Sequence, residues 1–577
     1  MVNRFYQEEL GYLRDLAVQF SKAHPALAPM LSGPSTDPDV ERLLEGVAFL
    51  TALLRQKLDD EFPEILHELI QLIWPHYLRP IPSTAIVAFT PKPTLKETRA
   101  IPRGVHVASV PVDGTSCLFR TCYEVDVHPL SLLEAGLKQD PGGPPLVTLT
   151  LELKGLRLSD WDPRSLRFFL GGDYPSACDL YGLLRSHLRR VILTPHGSGV
   201  PLTLPPEALK PVGFAEGDAL IPYPAHSFPG YRILQEYFVL PEKFLFLDLE
   251  GWDRWQERGD GSRFQISFEL EKPPGTLPRI RRESFVLSAA PVINLFPGEG
   301  DPIRLDHHKT EYLVRPSGGV SEHYQVYAVE EVVGFVQGTA EERRYRPFDA
   351  FGPDGRSEAV YHTIQKKSLL VDRLVTYLSV AYPPEWGPPT PETLSLSLLC
   401  TNGFLPEQLR SGDVCQHTSS SPEHVEFKNI NPPKVYALPP VTGNLLWRLL
   451  GHLSLNYLSL SRPENLKALL GLYLFPDSHD RGSLESNRKR IAGIDDVTCT
   501  GANRLVSGIL MRGQEISMKA REDHFAGPGD LFLFGSVLDC FLGGYATLNT
   551  FTRLLIEEVT RGEQYQWPAR IGDRPLI

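Results

Sequence analysis

The chain is poor in cysteine and has no cysteine motif. Seven cysteines are scattered along 577 residues, and no two of them form a CxxC pair. An odd number of cysteines in a chain of this length argues against a disulfide framework and fits a reducing cytoplasm. The first residues, MVNRFYQEEL, lack the apolar core of a signal peptide, so we expect no secretory leader.

The sequence also lacks an excess of positive charge and a long uncharged apolar run. Its formal net charge of −12 is the opposite of the clustered lysine and arginine that nucleic-acid binding requires, and it disfavours anionic lipid. The most apolar stretch, 531–552, is divided by Asp539 into runs shorter than the roughly 17–25 residues of a membrane helix. We therefore predict no nucleic-acid partner and no direct membrane insertion, and we interpret 531–552 as buried structure.

Motifs of catalysis and metal binding are missing as well. The sequence contains no GxxxxGK[ST] phosphate loop, no HExxH zinc pair and no GxSxG nucleophile elbow. Residues 527–530 begin like a dinucleotide-binding loop, but Phe532 stands where the third glycine belongs, so we predict a turn before a strand. Asp306-His307-His308 is more typical of a solvent-facing pair of histidines, because adjacent side chains on a strand point to opposite faces. We expect no catalytic residue, no metal and no cofactor.

Proline, by contrast, is abundant. It accounts for 52 of 577 residues, against an average of about 5%. Hydrophobic residues make up 42% of the chain, which is enough for sizeable cores, and the length suggests roughly three or four domains. Proline pairs at 383–391 and 432–440 are predicted junctions between domains.

The spacing of apolar residues divides the chain into three regions. Residues 1–83 follow the helical period and are predicted to be a helical assembly segment. From residue 84 short alternating segments such as 147–153 predict strands, so 84–385 is a β-rich α+β middle region. Residues 386–577 are predicted to be a mixed α/β C-terminal domain, with a polar loop at 476–490. The fold class is therefore multidomain α+β.

Two apolar stripes in the first region need a partner. The stripes are Tyr6, Leu10, Leu13, Ala17 and Phe20 in one helix, and Val40, Leu43, Leu44, Val47, Leu50, Leu54 and Leu58 in the next. Such helices pack poorly as an isolated unit, so we predict that another chain covers them. Asp59, Asp60 and Glu61 follow the second stripe, and consecutive helical side chains diverge by about 100°, which does not suit a facing acid–base pair.

A later run, WRLLGHLSLNYLSL at 447–460, predicts a helix with apolar residues on more than one side. We predict that Trp447, Leu450, Leu453 and Tyr457 belong to a structural core.

This run resembles the late helix of the TssF family, baseplate subunits of the bacterial type VI secretion system (also known as VasA/ImpG-like proteins). The other similar stretches, in chain order, are 37–46 (DPDVERLLEG), 57–64 (KLDDEFPE), 74–83 (WPHYLRPIPS), 234–238 (LQEYF), 241–244 (PEKF), 291–296 (PVINLF), 534–539 (FGSVLD) and 548–551 (LNTF). The family usually has Thr-Asn-Arg-Asp-Leu-Pro where this chain has Thr401-Asn402-Gly403-Phe404-Leu405-Pro406, so the charged pair is lost.

The resemblance implies a structural, non-enzymatic role in a cytoplasmic baseplate wedge that docks at the inner membrane. It implies TssG, TssK and a second TssF copy as partners, with the VgrG hub, the Hcp tube and the sheath nearby. Asp59, Asp60, Glu61, Trp74 and Tyr77 are then candidate partner contacts. Two alternatives stay open: the wedge subunit of a phage-tail-like contractile particle, and a carbohydrate-active hydrolase with carboxylates in a cleft of its β-rich middle domain.

Overall fold

A computed structural model divides the chain into two compact units, and all of the described strands lie in the larger one. It describes residues 2–23, 38–39, 41–53, 70, 75–139, 143–223, 228–271, 277–339, 341–348, 359–367, 373–382, 391–439, 462–475, 480–506 and 509–572. The first unit comprises Met1–Leu78 with Val441–Leu449, and the second comprises Arg79–Pro440 with Leu450–Ile577. The end of the first unit at Leu78 is close to the boundary predicted after residue 83.

The described part of the first unit is helical, as predicted. Helix α1 covers Val2–Ala23, a second helical stretch covers 41–53, and a 3-10 turn covers Pro75–Leu78. An ion pair of 2.7 Å joins Arg14 on α1 to Glu41 at the beginning of the second stretch.

The second unit begins with a six-stranded sheet whose members are far apart in sequence. Its order is β24-β3-β4-β15-β1-β25. The strands are β1 Thr84–Pro91, β3 His106–Val112, β4 Thr115–Thr121, β15 Ala289–Ile293, β24 Val414–Gln416 and β25 Val425–Asn429. Because β1 pairs with both β15 and β25, this sheet joins residues before and after the boundary predicted at 385/386.

Two further sheets lie in the middle region, and a strand pair accompanies them. Their orders are β10-β9-β13-β7-β6, β11-β12-β8-β14 and β2-β5. The strands are β2 Arg99–Ile101, β5 Val125–Val127, β6 Leu130–Lys138, β7 Leu146–Leu153, β8 Leu166–Leu170, β9 Leu188–Pro195, β10 Leu202–Leu204, β11 Leu209–Val212, β12 Phe246–Leu249, β13 Arg263–Leu270 and β14 Phe285–Leu287. Val147, Leu149 and Leu151 of β7 are all fully buried, which confirms the strand predicted from their alternation.

An eight-stranded sheet completes the middle region and also crosses 385/386. The strands are β16 Phe296–Glu299, β17 Ile303–Leu305, β18 Tyr312–Leu313, β19 Gln325–Val336, β20 Glu342–Pro347, β21 Val360–Lys367, β22 Leu374–Ala381 and β23 Glu392–Thr401. Strand β23 pairs with β16, β17 and β19. Leu305, Val332, Leu378 and Leu394 lie fully buried in its core.

The C-terminal part combines helices with a five-stranded sheet, and its last helix packs against two helices of the middle region. The two helices of the middle region are α2 Tyr174–Ser186 and α3 Pro229–Val239. The helices of the C-terminal part are α4 Pro463–Leu472, α5 Arg481–Ala492 and α6 Pro528–Gly543. The strands are β26 Ile494–Val506, β27 Ile509–Ala520, β28 Thr550–Glu558, β29 Gln564–Gln566 and β30 Arg570–Ile571. Helix α6 packs on α2 and α3, and Gly182 of α2 and Gly529 of α6 allow this close approach. The predicted α+β class with a β-rich middle is confirmed.

Two local predictions are wrong. Most of α5 lies in the polar stretch 476–490 that was predicted as a loop. Asp480 caps the first turn of this helix by accepting a 2.9 Å hydrogen bond from the backbone N–H of Ser483. Residues 527–530 are the N-cap and the first residues of helix α6, not a turn before a strand. Pro528 occupies the first turn of α6, where a missing N–H costs nothing.

The proline-rich segment 432–438 is not a free linker either. Ile81 and Ala437 exchange backbone hydrogen bonds of 2.8 and 3.0 Å, and the backbone N–H of Lys434 donates to Thr84. Tyr436 is fully buried. The segment is therefore part of the packed unit. The other predicted junction, at 383–390, lies outside the described residues.

Candidate partner-binding surface

Helix α1 exposes large apolar side chains to solvent. Tyr12 is 65% exposed and Phe20 is 47% exposed, and Leu16 and Val18 are also exposed. Of the predicted stripe on this helix, Ala17 is buried while Phe20 is not. The apolar surface of α1 therefore extends beyond what its own unit covers.

The helical stretch at 41–53 shows the same feature more clearly. Small residues face inward, since Ala48 and Ala52 are fully buried. The predicted stripe residues Leu43 and Leu50 are 69% and 62% exposed, and Val47 is exposed as well. Exposed apolar side chains do not stabilise a monomer in water, so these residues are the strongest candidates for contact with another chain.

Most of the individual residues predicted as contacts or core lie outside the described residues. Among the candidate contacts these are Asp59, Asp60, Glu61 and Trp74; among the predicted core residues they are Trp447, Leu450, Leu453 and Tyr457. They stay predictions. Tyr77 is described and is only 3% exposed, so a partner would reach it only after a rearrangement of its surroundings.

Charged residues of the stretches 234–238 and 241–244 form a buried network. Glu236 and Lys243 are fully buried, and their side chains form an ion pair. The same carboxylate accepts the backbone N–H of Leu220 at 2.7 Å, and Arg232 contacts it at 3.3 Å. The network fixes α3 to the loop before it.

Electrostatics explains why this network stays paired. Burial lowers the pKa of the Lys243 ammonium, and the Glu236 carboxylate opposes that shift. The ammonium also donates a 2.8 Å hydrogen bond to the carbonyl of Asp218. A buried charge is tolerated when ionic and hydrogen-bond partners replace water.

A second buried network joins three helices. Asp530 of α6 is fully buried and accepts hydrogen bonds from Arg490 of α5 and from the hydroxyl of Tyr174 of α2, each at 2.8 Å. The Arg490 guanidinium also lies over the Tyr174 ring, 5.5 Å from its centroid. Neither charge was singled out from the sequence. Their signal was the Asp530 carboxylate in the first turn of a helix whose only other charged residue is Asp539, because a buried carboxylate needs a cation as its partner.

Polar residues of two family-like stretches meet between sheets. The Asn294 side-chain oxygen accepts hydrogen bonds from the hydroxyl of Thr401 at 2.8 Å and from the backbone N–H of Asn402 at 2.7 Å. Its amide nitrogen donates to the carbonyl of Leu118 at 2.7 Å. All three polar residues are buried, so these motifs hold the architecture together and do not form a binding surface.

The departure from the family pattern at 403–404 is accommodated locally. Gly403 has a φ of +56°, and a Cβ there would lie 2.6 Å from the side-chain nitrogen of Gln325. The Phe404 ring packs edge-on against Tyr436, with centroids 4.9 Å apart. An aromatic contact therefore stands where the family pattern has a charged pair.

The Asp306-His307-His308 stretch is a turn. The Asp306 carboxylate accepts the backbone N–H of His308 at 3.1 Å and the hydroxyl of Tyr312 at 3.0 Å. These hydrogen bonds lower the pKa of Asp306. Within the described ranges, no three histidine, cysteine or acidic side chains are grouped as metal ligands. In the same part of the chain, no helix is both long and apolar enough to cross a membrane.

Comparison with known proteins gives one consistent result. Residues 1–574 match the family model described as Type VI secretion system, TssF. The chain is 30% identical to the type VI secretion system component TssF1 of Pseudomonas aeruginosa, over 99% of both chains.

Two solved structures have the same fold. The structure of the type VI secretion system TssK-TssF-TssG baseplate subcomplex contains a chain with 30% identity and a TM-score of 0.77, covering 92% of this chain and 99% of that one. The baseplate complex from the type VI secretion system contains a chain with 27% identity and a TM-score of 0.67, covering 100% of both.

Proposed function

We propose, because the chain belongs to the TssF family of the type VI secretion system, that it is a structural baseplate subunit that assembles with TssK and TssG chains. The similarity of nearly the whole chain to a chain of a solved TssK-TssF-TssG subcomplex carries this proposal. The buried network of Glu236 and Lys243 supports it, because it uses charged residues of two family-like stretches to stabilise the scaffold.

The surface proposed to meet the partner is the apolar stripe at 41–53 together with the exposed face of α1. Leu43 and Leu50 lie on this stripe and are more than half exposed. An exposed apolar stripe on a helix suits a groove or a helix of another chain. TssG is the proposed occupant.

Co-purification tests both parts of the proposal. The full chain is co-expressed with TssG and TssK from the same secretion system, and the complex is recovered through a tag on this chain. Leu43→Asp combined with Leu50→Asp places two charges in the stripe, and we expect recovery of TssG to fall at least about tenfold. The matched control is Val559→Asp, at a 50% exposed position of the second unit, which should leave recovery unchanged.

The possible outcomes separate the two parts. Unchanged recovery of TssG by the double variant would show that the stripe is not its binding surface, while the baseplate role would stand. Failure of the unmodified chain to recover either TssG or TssK would contradict the baseplate role itself.

We further infer a non-enzymatic protein without metal or cofactor, placed in the cytoplasm and docked at the inner membrane through the baseplate. A second copy of the chain would share the wedge, near the VgrG hub, the Hcp tube and the sheath. The pairing of Glu236 and Asp530 with buried cations supports structural roles for these carboxylates. Treatment with a chelator should leave the melting temperature unchanged. A chelator destabilises the native state only by removing a bound metal, which would otherwise stabilise that state by mass action. A fall of several degrees would contradict this inference.

A further inference from the structure

Strand β26 has an open edge. On one side it pairs with β27 over the whole length from Ile494 to Val506, and among the described strands none pairs with its other side. Such an edge presents a row of backbone donors and acceptors to other chains, and proteins commonly block it with lysine, proline or a bulge in the strand. The segment 497–503, VTCTGAN, has no proline and no charged residue, and the one register shift lies before it.

Opposite charges frame this uncharged segment. Asp496 precedes it and Arg504 follows it, and both side chains are exposed. Arg504 forms no ion pair with any described residue, and Asp496 accepts a 2.9 Å hydrogen bond from the neighbouring backbone N–H of Val497. Helix α4 packs against the strand but leaves Thr498 and Thr500 exposed.

The positions of the two charges are self-complementary. In an antiparallel pair, residues that face each other share one face of the sheet, so only every second register is allowed. In the allowed register centred on Thr500, that residue faces Thr500 of a second copy. Asp496 then faces Arg504 of the second copy, and Arg504 faces its Asp496. Moving the centre by one residue in either direction separates both ion pairs.

We propose that β26 is a docking edge for a second copy of this chain. Two copies pair antiparallel about a twofold axis at Thr500, which joins their C-terminal sheets into one continuous sheet. The interface is isologous, so each ion pair occurs twice. The small residues Gly501 and Ala502 put no bulky side chain in the way of this approach. A second copy is inferred as the partner from the self-complementary charges of the strand, and this inference does not depend on the baseplate role.

Sedimentation equilibrium of the purified full chain measures the association. The unmodified chain should show a monomer–dimer equilibrium. Arg504→Asp or Asp496→Arg alone places like charges opposite each other twice, and each should raise the dissociation constant at least about tenfold. The double variant exchanges the two charges and should restore the constant to within about threefold. Arg512→Asp, at an exposed position on β27, is the control that should change nothing.

Cross-linking tests the register and does not depend on charge. Side chains directly opposite each other have Cβ atoms about 4.5–5.5 Å apart, close to disulfide geometry. With diamide as oxidant, the two thiols introduced by Thr500→Cys should lose two electrons and two protons and link the dimer. Thr498→Cys faces Ala502 of the second copy and should give only the background set by native Cys415 and Cys499.

Four results would overturn the proposal. They are a monomeric unmodified chain at its highest soluble concentration, a dimer insensitive to both charge reversals, a double variant that is not rescued, and equal cross-linking at 498 and 500. Melting temperatures of all variants distinguish loss of pairing from loss of folding. A monomer that still binds TssG and TssK would leave the baseplate role untouched.

Discussion

The guanidinium of Arg490 donates a hydrogen bond of 2.8 Å from Nε to Oδ2 of Asp530, and both residues are buried. The pair joins the helix that follows Asp480 to the last helix of the chain. Removing one partner of a buried pair leaves the other charge without compensation.

Asp530→Ala should therefore lower the free energy of unfolding by about 3–5 kcal/mol. Urea denaturation followed by tryptophan fluorescence measures the change. The control is Arg488→Ala, which removes an exposed 2.7 Å pair with Glu485 and should cost less than about 1 kcal/mol. Equal losses of unfolding free energy in both variants would mean that the buried Arg490–Asp530 pair stabilises the fold no more than an exposed pair does.

Two glycines within helices should respond to alanine with opposite signs. A Cβ at Gly529 would lie 2.2 Å from the carbonyl carbon of Cys178, whereas nothing lies within 4 Å of one at Gly471. Gly529→Ala should cost about 1–3 kcal/mol or more, because α6 must move away from α2. Gly471→Ala should stabilise by about 0.5–1 kcal/mol through helix propensity. Melting temperatures that move in the same direction would contradict the close contact of α2 with α6.

His128 should make stability depend on pH. Its Nδ1 accepts a hydrogen bond from the indole N–H of Trp161 at 3.3 Å and lies 2.9 Å from the hydroxyl of Thr98. Since an indole N–H can only donate, Nδ1 carries no proton in this arrangement. Burial lowers the pKa of His128 from 6.5 to about 4.

The sign follows from proton binding by the two states. As pH falls from 6.5 towards 4, the unfolded chain takes up a proton at His128 and the folded chain does not, so stability is lost. At pH 5 the loss should be about 2 kcal/mol relative to pH 7.5. His128→Gln should remove that part of the difference between denaturation curves at the two pH values. His196→Gln, at an exposed position, is the control. A variant at 128 with the pH dependence of the unmodified chain would contradict the buried neutral imidazole.

Two copies in one wedge should differ in how their units are arranged and should share the same conformation within each unit. One sequence must then fit two unlike environments, which rigid units on adjustable connections do most easily. We expect the change at the boundary after Leu78 or at 383–390, and not at the packed segment 432–438. Superposition of the two copies in an assembled wedge provides the measurement. Identical whole-chain conformations would contradict this expectation of two unlike environments.

Local patterns in the sequence were sufficient for much of the fold. Alternation at 147–153 identified β7, because a half-buried strand must place every second side chain in a core. The spacing of Leu43, Val47 and Leu50 by itself indicated an apolar helical stripe, because residues three and four apart share one face of a helix. The ordered family-like stretches identified the family, since each is weak alone and the set is specific.

Other features depend on contacts between distant residues, and no local pattern encodes them. The polar composition of 476–490 suggested a loop, yet the Asp480 cap and the burial of Arg490 against Asp530 favour a helix over Arg481–Ala492. The sequence placed a boundary at 385/386, whereas β1 pairs with β25 more than three hundred residues later. Strand order and buried charge pairs are decided when the chain closes long loops, and only the tertiary structure supplies the partners that make those arrangements favourable.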